Sequence, residues 1–335
     1  MKNKSSVLNE HLARSLPGIL KYHETMLADG VRNSLLARSI FDAIRPGSSF
    51  LDVGAGTGIW AVLAAKLGAK RVVAIESEEA LIPLIHSTAI ENSVSERIEI
   101  IHGRSTDVKI RERFDVIVSE LFGNDALGFS TIEAMMDVRD RFLKKDGVFL
   151  PQKLSLFAVP ARIKTQELGL EGKHAISVRS FSDLKRNFAS PIPINDRANL
   201  ELLAEPALLS EVDFLNVKEP PSKENLIVKW QMKRIDRVNA IVVFNRSTFG
   251  PRRVLDGLTS QSWGVTRYDL VPFAKRSGEL YFRATFDRER GTWTAGVSDS
   301  PECRPQTYGP VFAISRVQFG LSATPHRKVK PKKPS

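Results

Sequence analysis

LDVGAGTG, Leu51 to Gly58, decides how this chain is read. Glycines at 54, 56 and 58 let the backbone turn tightly and let a ligand approach with no Cβ atoms in the way. The turn leaves the apolar run FLDV and enters GIWAVLAAKLG, which reads as a helix closed by Gly68 in the C′ position. Its spacing is G-x-G-x-G, which differs from the G-x-G-x-x-G dinucleotide fingerprint. Asp52 immediately precedes it. Glu76 ends the next apolar run, RVVAIE, about where an acid meets ribose hydroxyls in nucleotide-binding α/β folds. A glycine turn alone binds nothing of necessity. With the strand before it, the helix after it and Glu76 beyond, it predicts a binding site made by Asp52, Gly54, Gly56, Gly58 and Glu76.

Outward from this turn, residues 49–150 alternate short apolar runs with helical periodicity. FLDV, RVVAIE, RIEIIH, FDVIVSE and GVFL read as buried strands. EEALIPLIHSTAIEN reads as a second helix, and TIEAMMDVRDRFLKKDG as a third, from near Thr131 to Gly147. Strand and helix in alternation predict a parallel sheet with right-handed crossovers. Over 151–323 the character changes. LSLFAVP, LIVKWQMK, AIVVFN, WGVTRYDLV, ELYFRATF and TWTAGV are short strands between turn-forming clusters, which predicts a barrel or sandwich. A polar, weakly helical insertion at about 163–200 interrupts it. Residues 1–48 carry apolar side chains at helical spacing, and 324–335 form a basic tail too poor in apolar groups to pack.

The 335 residues are 42% hydrophobic and 26% charged, ordinary for a globular protein. The lone cysteine, Cys303, excludes an internal disulfide and points to a reducing cytoplasm. No apolar segment of the signal-peptide kind opens the chain, and the most apolar run, Val53 to Ala65, is too short to span a bilayer. A net charge of +11 allows an acidic partner, yet no recognised nucleic-acid motif accompanies it. The six histidines show no metal-ligand spacing, and neither a Walker loop nor a Ser-His-Asp arrangement is present.

The glycine turn with Glu76 resembles motif I of the class I S-adenosylmethionine methyltransferases. YHETMLADGVRNSLL, Tyr22 to Leu36, is similar to the N-terminal helix of the protein arginine methyltransferases, with the pattern H-E-x-M-L-x-D-x-V-R met by His23, Glu24, Met26, Leu27, Asp29, Val31 and Arg32. The likeness extends over nearly the whole chain. It implies a helical N-terminus, a Rossmann-like α/β domain and a β-barrel, with an arm near Ser177 to Ala189 that pairs two copies head to tail as a homodimer. It also implies S-adenosyl-L-methionine as cofactor and S-adenosyl-L-homocysteine as its product. Arg32 would then hold the cofactor's carboxylate, with His23 and Met26 beside it, Glu76 on the ribose, and Ser105 and Thr106 at the adenine.

Three positions depart from that family, and all fall on the site. The family holds a guanidinium between two glutamates on one loop; here Glu120 matches the first, while Phe129 stands at the second. A Thr-His-Trp segment, whose histidine pairs with the helix aspartate, is replaced by Gln261-Ser262-Trp263, so Asp29 lacks that partner. Thr106 stands where the family has an adenine-contacting glutamate. The expected activity is methyl transfer to nitrogen, on a guanidino or amine group of a protein or small metabolite, with Glu120, Asp29 and Phe129 as the catalytic residues, Glu120 being the general base and also a cofactor contact. Asp125 is a candidate replacement for the second acid. A small-molecule methyltransferase with another nucleophile and a non-catalytic cofactor binder remain open alternatives.

Overall fold

The computed structural model describes residues 4–122, 129–164, 189–221, 225–270, 276–287, 292–298 and 306–311, with His174, Ile176, Ser177, Ser180, Phe181 and Phe273. The helical N-terminus consists of α1 (Lys4–Ala28) and α2 (Gly30–Ala43). The single helical stretch read from the sequence is broken at Asp29, whose carboxylate accepts from the Arg32 amide and caps α2. A capping aspartate and an adjoining glycine supply both the stop and the restart.

The α/β unit follows as β1 (Ser49–Val53), α3 (Ile59–Lys66), β2 (Arg71–Glu76), α4 (Ile82–Glu91), β3 (Ile98–His102), β4 (Phe114–Ser119), α5 (Phe129–Phe142) and β5 (Leu143–Leu150). All five strands are parallel, in the order β3-β2-β1-β4-β5. Phe50, Leu51, Val72, Val73, Val116 and Ile117 are fully or almost fully buried, as expected for a sheet covered on both faces. One sequence expectation is corrected here. The third helix stops at Phe142 rather than Gly147, because LKKDGVFL pairs along β4 as β5. Propensity favours a helix through the lysines, but pairing on the sheet edge overrides it.

The antiparallel part contains β6 (Lys153–Ile163), β7 (Ala189–Pro191), β8 (Leu200–Leu202), β9 (Ala207–Asp213), β10 (Leu226–Met232), β11 (Ala240–Thr248), β12 (Val254–Asp256), β13 (Val265–Asp269), β14 (Gly278–Asp287), β15 (Thr292–Ser298) and β16 (Gln306–Val311). One sheet runs β7-β13-β11-β6-β8, with β12 on β11 and β9 on β6; the other runs β10-β14-β15-β16. Their shared core holds Ala158 and Ile241 from the first with Leu280 and Phe282 from the second, in a barrel-like arrangement. The two parts of the chain also pack on each other, since Leu154, Phe214 and Trp263 join the core of the parallel sheet. Half of the 163–200 insertion, and the 324–335 tail, lie outside the described residues. No helix among the described residues is long and apolar enough to cross a membrane.

Candidate functional site

Parallel register assembles the site. Val53 pairs with Ile75 on one side and with Ser119 on the other. The next residue of each strand is therefore Gly54, flanked by Glu76 and Glu120. This is the point where strand order reverses, the usual crevice for ligands in open α/β sheets. Gly54, Gly56 and Gly58 all have left-handed backbones, with φ of +72°, +58° and +78°. A Cβ on Gly54 would lie 2.5 Å from Leu121 Cδ2, on Gly56 2.7 Å from His23 Cε1, and on Gly58 2.7 Å from Ile85 Cγ2. Each glycine is thus required by conformation and by close approach together. The turn is tied to the second strand, because Gly54 and Ala55 donate to Ile75 O and Gly56 N donates to Glu76 Oε2 at 2.7 Å. Glu78 N holds the other Glu76 oxygen at 2.8 Å.

Asp52 sits beneath the turn, only 2% exposed, and accepts from Ala61 N at 3.1 Å. Burial pushes its carboxyl up to about 7, against the Ala61 bond and with help from the charges of Glu76 and Glu120. His23 covers Gly56; burial lowers its pKa, Glu76 pulls it back up, and Arg32 lowers it again.

Glu120 stands one residue beyond β4 and forms a bidentate pair with Arg32. Arg32 Nε donates to Oε1 at 2.7 Å and to Oε2 at 3.0 Å, and Nη2 donates to Oε2 at 2.6 Å. The two side chains are only 3% and 7% exposed. Burial alone would lower the Arg32 pKa, but the charge and hydrogen bonds of Glu120 raise it. Arg32 Nη1 donates to Asn33 Oδ1 and Met26 O, and Trp60 lies 5.6 Å from its guanidinium carbon. The Trp263 indole N–H donates to Glu120 Oε1 at 2.9 Å. A cleft between α1 and the glycine turn is lined by His23, Met26, Arg32, Asp52, Gly56 and Glu120. A larger one of about 480 Å³ adjoins it at Gly54, over the end of β3, lined by Ser77, Gly103, Ser105, Thr106 and Glu133.

The model of the ribosomal protein L11 methyltransferase family (PrmA) matches residues 34–151. Probable protein arginine N-methyltransferase 6.2 of Oryza sativa subsp. indica is 30% identical over 205 residues, covering 59% of this chain and 52% of the relative. The chain thus spans about half the length of the curated relatives it matches. A Trypanosoma brucei PRMT1 enzyme–prozyme heterotetrameric complex with AdoHcy superposes with a TM-score of 0.68 at 20% identity, over 85% of this chain and 95% of that one. Arabidopsis thaliana protein arginine methyltransferase 10 gives 0.66 at 18% identity, over 87% and 99%. The chain is similar to the protein arginine methyltransferases and has their fold.

Within this arginine methyltransferase fold, the structure brings together His23, Met26, Arg32, Asp52, the three glycines, Glu76 and Glu120, and places Ser105 and Thr106 in the adjoining cleft. Thr106 Oγ1 donates to Asp107 Oδ1 at 3.0 Å, and Ser105 O accepts from Arg141 Nη2 at 2.5 Å. Phe129 is the first residue of α5; its side chain and Asp125 lie outside the described residues.

Asp29 keeps a full set of partners without a histidine. Its Oδ2 accepts from Ser260 Oγ at 2.6 Å, Gln261 N at 2.8 Å, Ser262 N at 2.9 Å and Ser262 Oγ at 2.8 Å. Burial alone would raise this carboxyl, but the hydrogen bonds from Ser260, Arg32 N and Ser262 hold it below the usual carboxylate range. Three contributors escaped the sequence reading. Trp263 was read only as a family landmark, Arg197 grips the loop that carries it, and Tyr22 packs edge-on against His23 at 5.3 Å, within the field of Glu120 and Arg32. Burial and the Glu120 charge raise the Tyr22 phenol, with Arg32 opposing. The serines around Trp263 were the available signal, since adjacent hydroxyls can cap a carboxylate as an imidazole does.

Proposed function

We propose that the chain binds S-adenosyl-L-methionine and transfers its methyl group to a nitrogen acceptor, a guanidino or amine group of a protein or small metabolite. The observation that carries this reading is the placement of Gly54 between Glu76 and Glu120, with Arg32 closing on Glu120. Relatives named as arginine N-methyltransferases and the AdoHcy held by the trypanosome complex support it.

The residues fit such a cofactor. The glycine turn offers backbone with no Cβ where a nucleoside would lie, and any side chain there would collide with its neighbours. Glu76, fixed by Gly56 N and Glu78 N, would meet the ribose hydroxyls, with Ser105 and Thr106 toward the base and His23 and Met26 over the turn. Arg32 keeps one Nη2 hydrogen without a partner among the described residues, suited to a carboxylate. When bound, the cofactor supplies an electrophilic methyl group on a sulfonium. This chain's own part is to hold an acceptor nitrogen in line and take its proton. Glu120 does both, and its carboxylate is fixed from two sides by Arg32 and Trp263. Asp29 acts indirectly, by capping the helix that aims Arg32. Phe129, in place of a second acid, changes how a cation would be held.

Calorimetry with S-adenosyl-L-homocysteine tests the cofactor, and labelled S-adenosyl-L-methionine with a cell extract tests the transfer. Label in arginine-containing protein supports a guanidino acceptor, label in small molecules supports a metabolite, and absence of binding removes the reading. Phe129→Glu restores a second acid at the aligned position, and new label in arginine peptides is the expected result. A cytoplasmic homodimer paired through the 163–200 segment belongs to the same proposal; light scattering at twice the chain mass is its check.

A further inference from the structure

Arg197 lies in a short 3₁₀ turn, Ile194–Asn199, at the end of the 163–200 insertion. Among the described residues its hydrogen bonds reach neither the glycine turn nor Glu120. Its guanidinium instead donates to three main-chain carbonyls of one loop: Nη1 to Gly257 O at 2.8 Å and to Ser260 O, and Nη2 to Trp263 O at 2.5 Å. Its Nε is buried without a hydrogen-bond partner, and burial lowers its pKa while the Asp29 charge pulls it back up. A half-buried arginine that spends both terminal nitrogens on main-chain carbonyls, and leaves its Nε buried, is a costly arrangement, so its position carries information.

The opposite side of the same loop faces Asp29, which takes the amides of Gln261 and Ser262 and the hydroxyls of Ser260 and Ser262. Residues 257–263 are therefore stretched between a cation on their carbonyl side and an anion on their amide and hydroxyl side. Trp263 sits at the end of that span. Arg197 holds its carbonyl, Ser260 Oγ accepts from its amide at 3.1 Å, and its indole N–H reaches Glu120. With these two main-chain anchors and a T-shaped contact to Phe122 at 5.4 Å, the ring has little freedom to swing.

We infer that Arg197 is a positioning residue for Glu120: by fixing the Trp263 carbonyl it sets the indole donor that orients Glu120 Oε1, and so ties the end of the 163–200 insertion to the acid of the site. The inference rests on the reading of Glu120 as that acid, but its test needs neither acceptor nor cofactor.

The chain has four tryptophans, and the indole of Trp230 donates at 3.0 Å to Glu205 O, which serves as an internal control. Full-length protein labelled with ¹⁵N-tryptophan is compared as wild type, Glu120→Ala, Arg197→Lys and Arg197→Met, with the Trp263 signal assigned by Trp263→Phe. Glu120→Ala is expected to move the Trp263 indole resonance and raise its solvent exchange tenfold or more. Arg197→Met is expected to move it the same way with Trp230 unchanged. Arg197→Lys, which offers a point charge in place of a fork, should give a smaller shift in that direction. Should the methionine variant not fold, the lysine variant decides alone. A Trp263 signal that stays in place in a folded Arg197 variant overturns the inference, as does one that moves only together with Trp230 or is insensitive to Glu120→Ala. Loss of S-adenosyl-L-homocysteine binding by the wild type would instead strike the functional reading, so the two failures are separable.

Discussion

Arg32 and Glu120, 88 positions apart in the chain, meet as a buried bidentate pair at the mouth of the glycine turn. Neither charge can be removed singly at little cost, because the other is left in a site almost closed to water. Arg32→Met should therefore destabilise by about 3–5 kcal/mol, while the double change Arg32→Met with Glu120→Met should cost much less than the sum. Urea unfolding of the four proteins checks this, and additive costs would show that the pair is not coupled. Glu120→Gln should abolish methyl transfer while leaving S-adenosyl-L-homocysteine affinity within a few-fold.

Gly56 and Gly58 should respond differently to alanine. Both have positive φ, which costs an L-residue roughly 1–2 kcal/mol. At Gly56 the new methyl meets the ring of His23, a side chain that can swing aside, so most of the damage should fall on ligand binding. At Gly58 it meets Ile85 Cγ2 at 2.7 Å with Ile85 Cβ and Cα close behind, inside the core, where nothing can yield cheaply. Gly58→Ala should therefore lower the unfolding midpoint more than Gly56→Ala, and Gly56→Ala should weaken S-adenosyl-L-homocysteine by tenfold or more. The reverse ranking would contradict this packing argument.

Asp52 gives a pH dependence of definite sign. Its folded-state pKa of about 7 lies above the ordinary value of 3.8 because burial disfavours the charge. The folded protein therefore holds a proton that the unfolded chain releases. That contribution is complete below about pH 4 and is lost as the pH rises through about 7, at up to about 1.4 kcal/mol per pH unit. Asp52→Asn can still accept from Ala61 N but has no proton to lose. Its stability relative to wild type should grow between pH 4 and 7 and then level off. A constant difference across that range would show that Asp52 titrates at an ordinary value.

The parallel sheet was legible because buried strands and amphipathic helices differ in period, and the glycine turn was legible because its spacing is local. Glu76 and Glu120 could be named since each ends an apolar run. Their meeting at Gly54 depends on strand register, which the sequence leaves unstated. Short strands such as Ala189–Pro191 and Leu200–Leu202 were missed because three residues carry no periodicity. The partners of Asp29 were missed for a related reason: Ser260 and Ser262 lie 231 and 233 positions away, in a polar turn that reads as an ordinary loop.

That turn yields a ranking of two similar serines. Among the described residues Ser262 Oγ bonds Asp29 alone, and the Ser262 amide, untouched by mutation, also donates there. Ser262→Ala should therefore cost about 1.5 kcal/mol, the low end for a hydrogen bond to a charged acceptor. Ser260 Oγ both donates to Asp29 at 2.6 Å and accepts from Trp263 N at 3.1 Å, and the residue is fully buried. Ser260→Ala leaves a carboxylate short of a donor and an amide without an acceptor, so its cost should exceed that of Ser262→Ala by about 1–2 kcal/mol. Since hydrogen bonds hold Asp29 below the usual carboxylate range, their stabilisation is present above about pH 4 and fades as the pH falls. The gap between Ser260→Ala and wild type should accordingly narrow in acid. Urea unfolding at pH 7 and pH 3.5 measures both effects, and equal costs for the two serines, or a gap that widens in acid, would show that Asp29 is not held by the Ser260 hydroxyl.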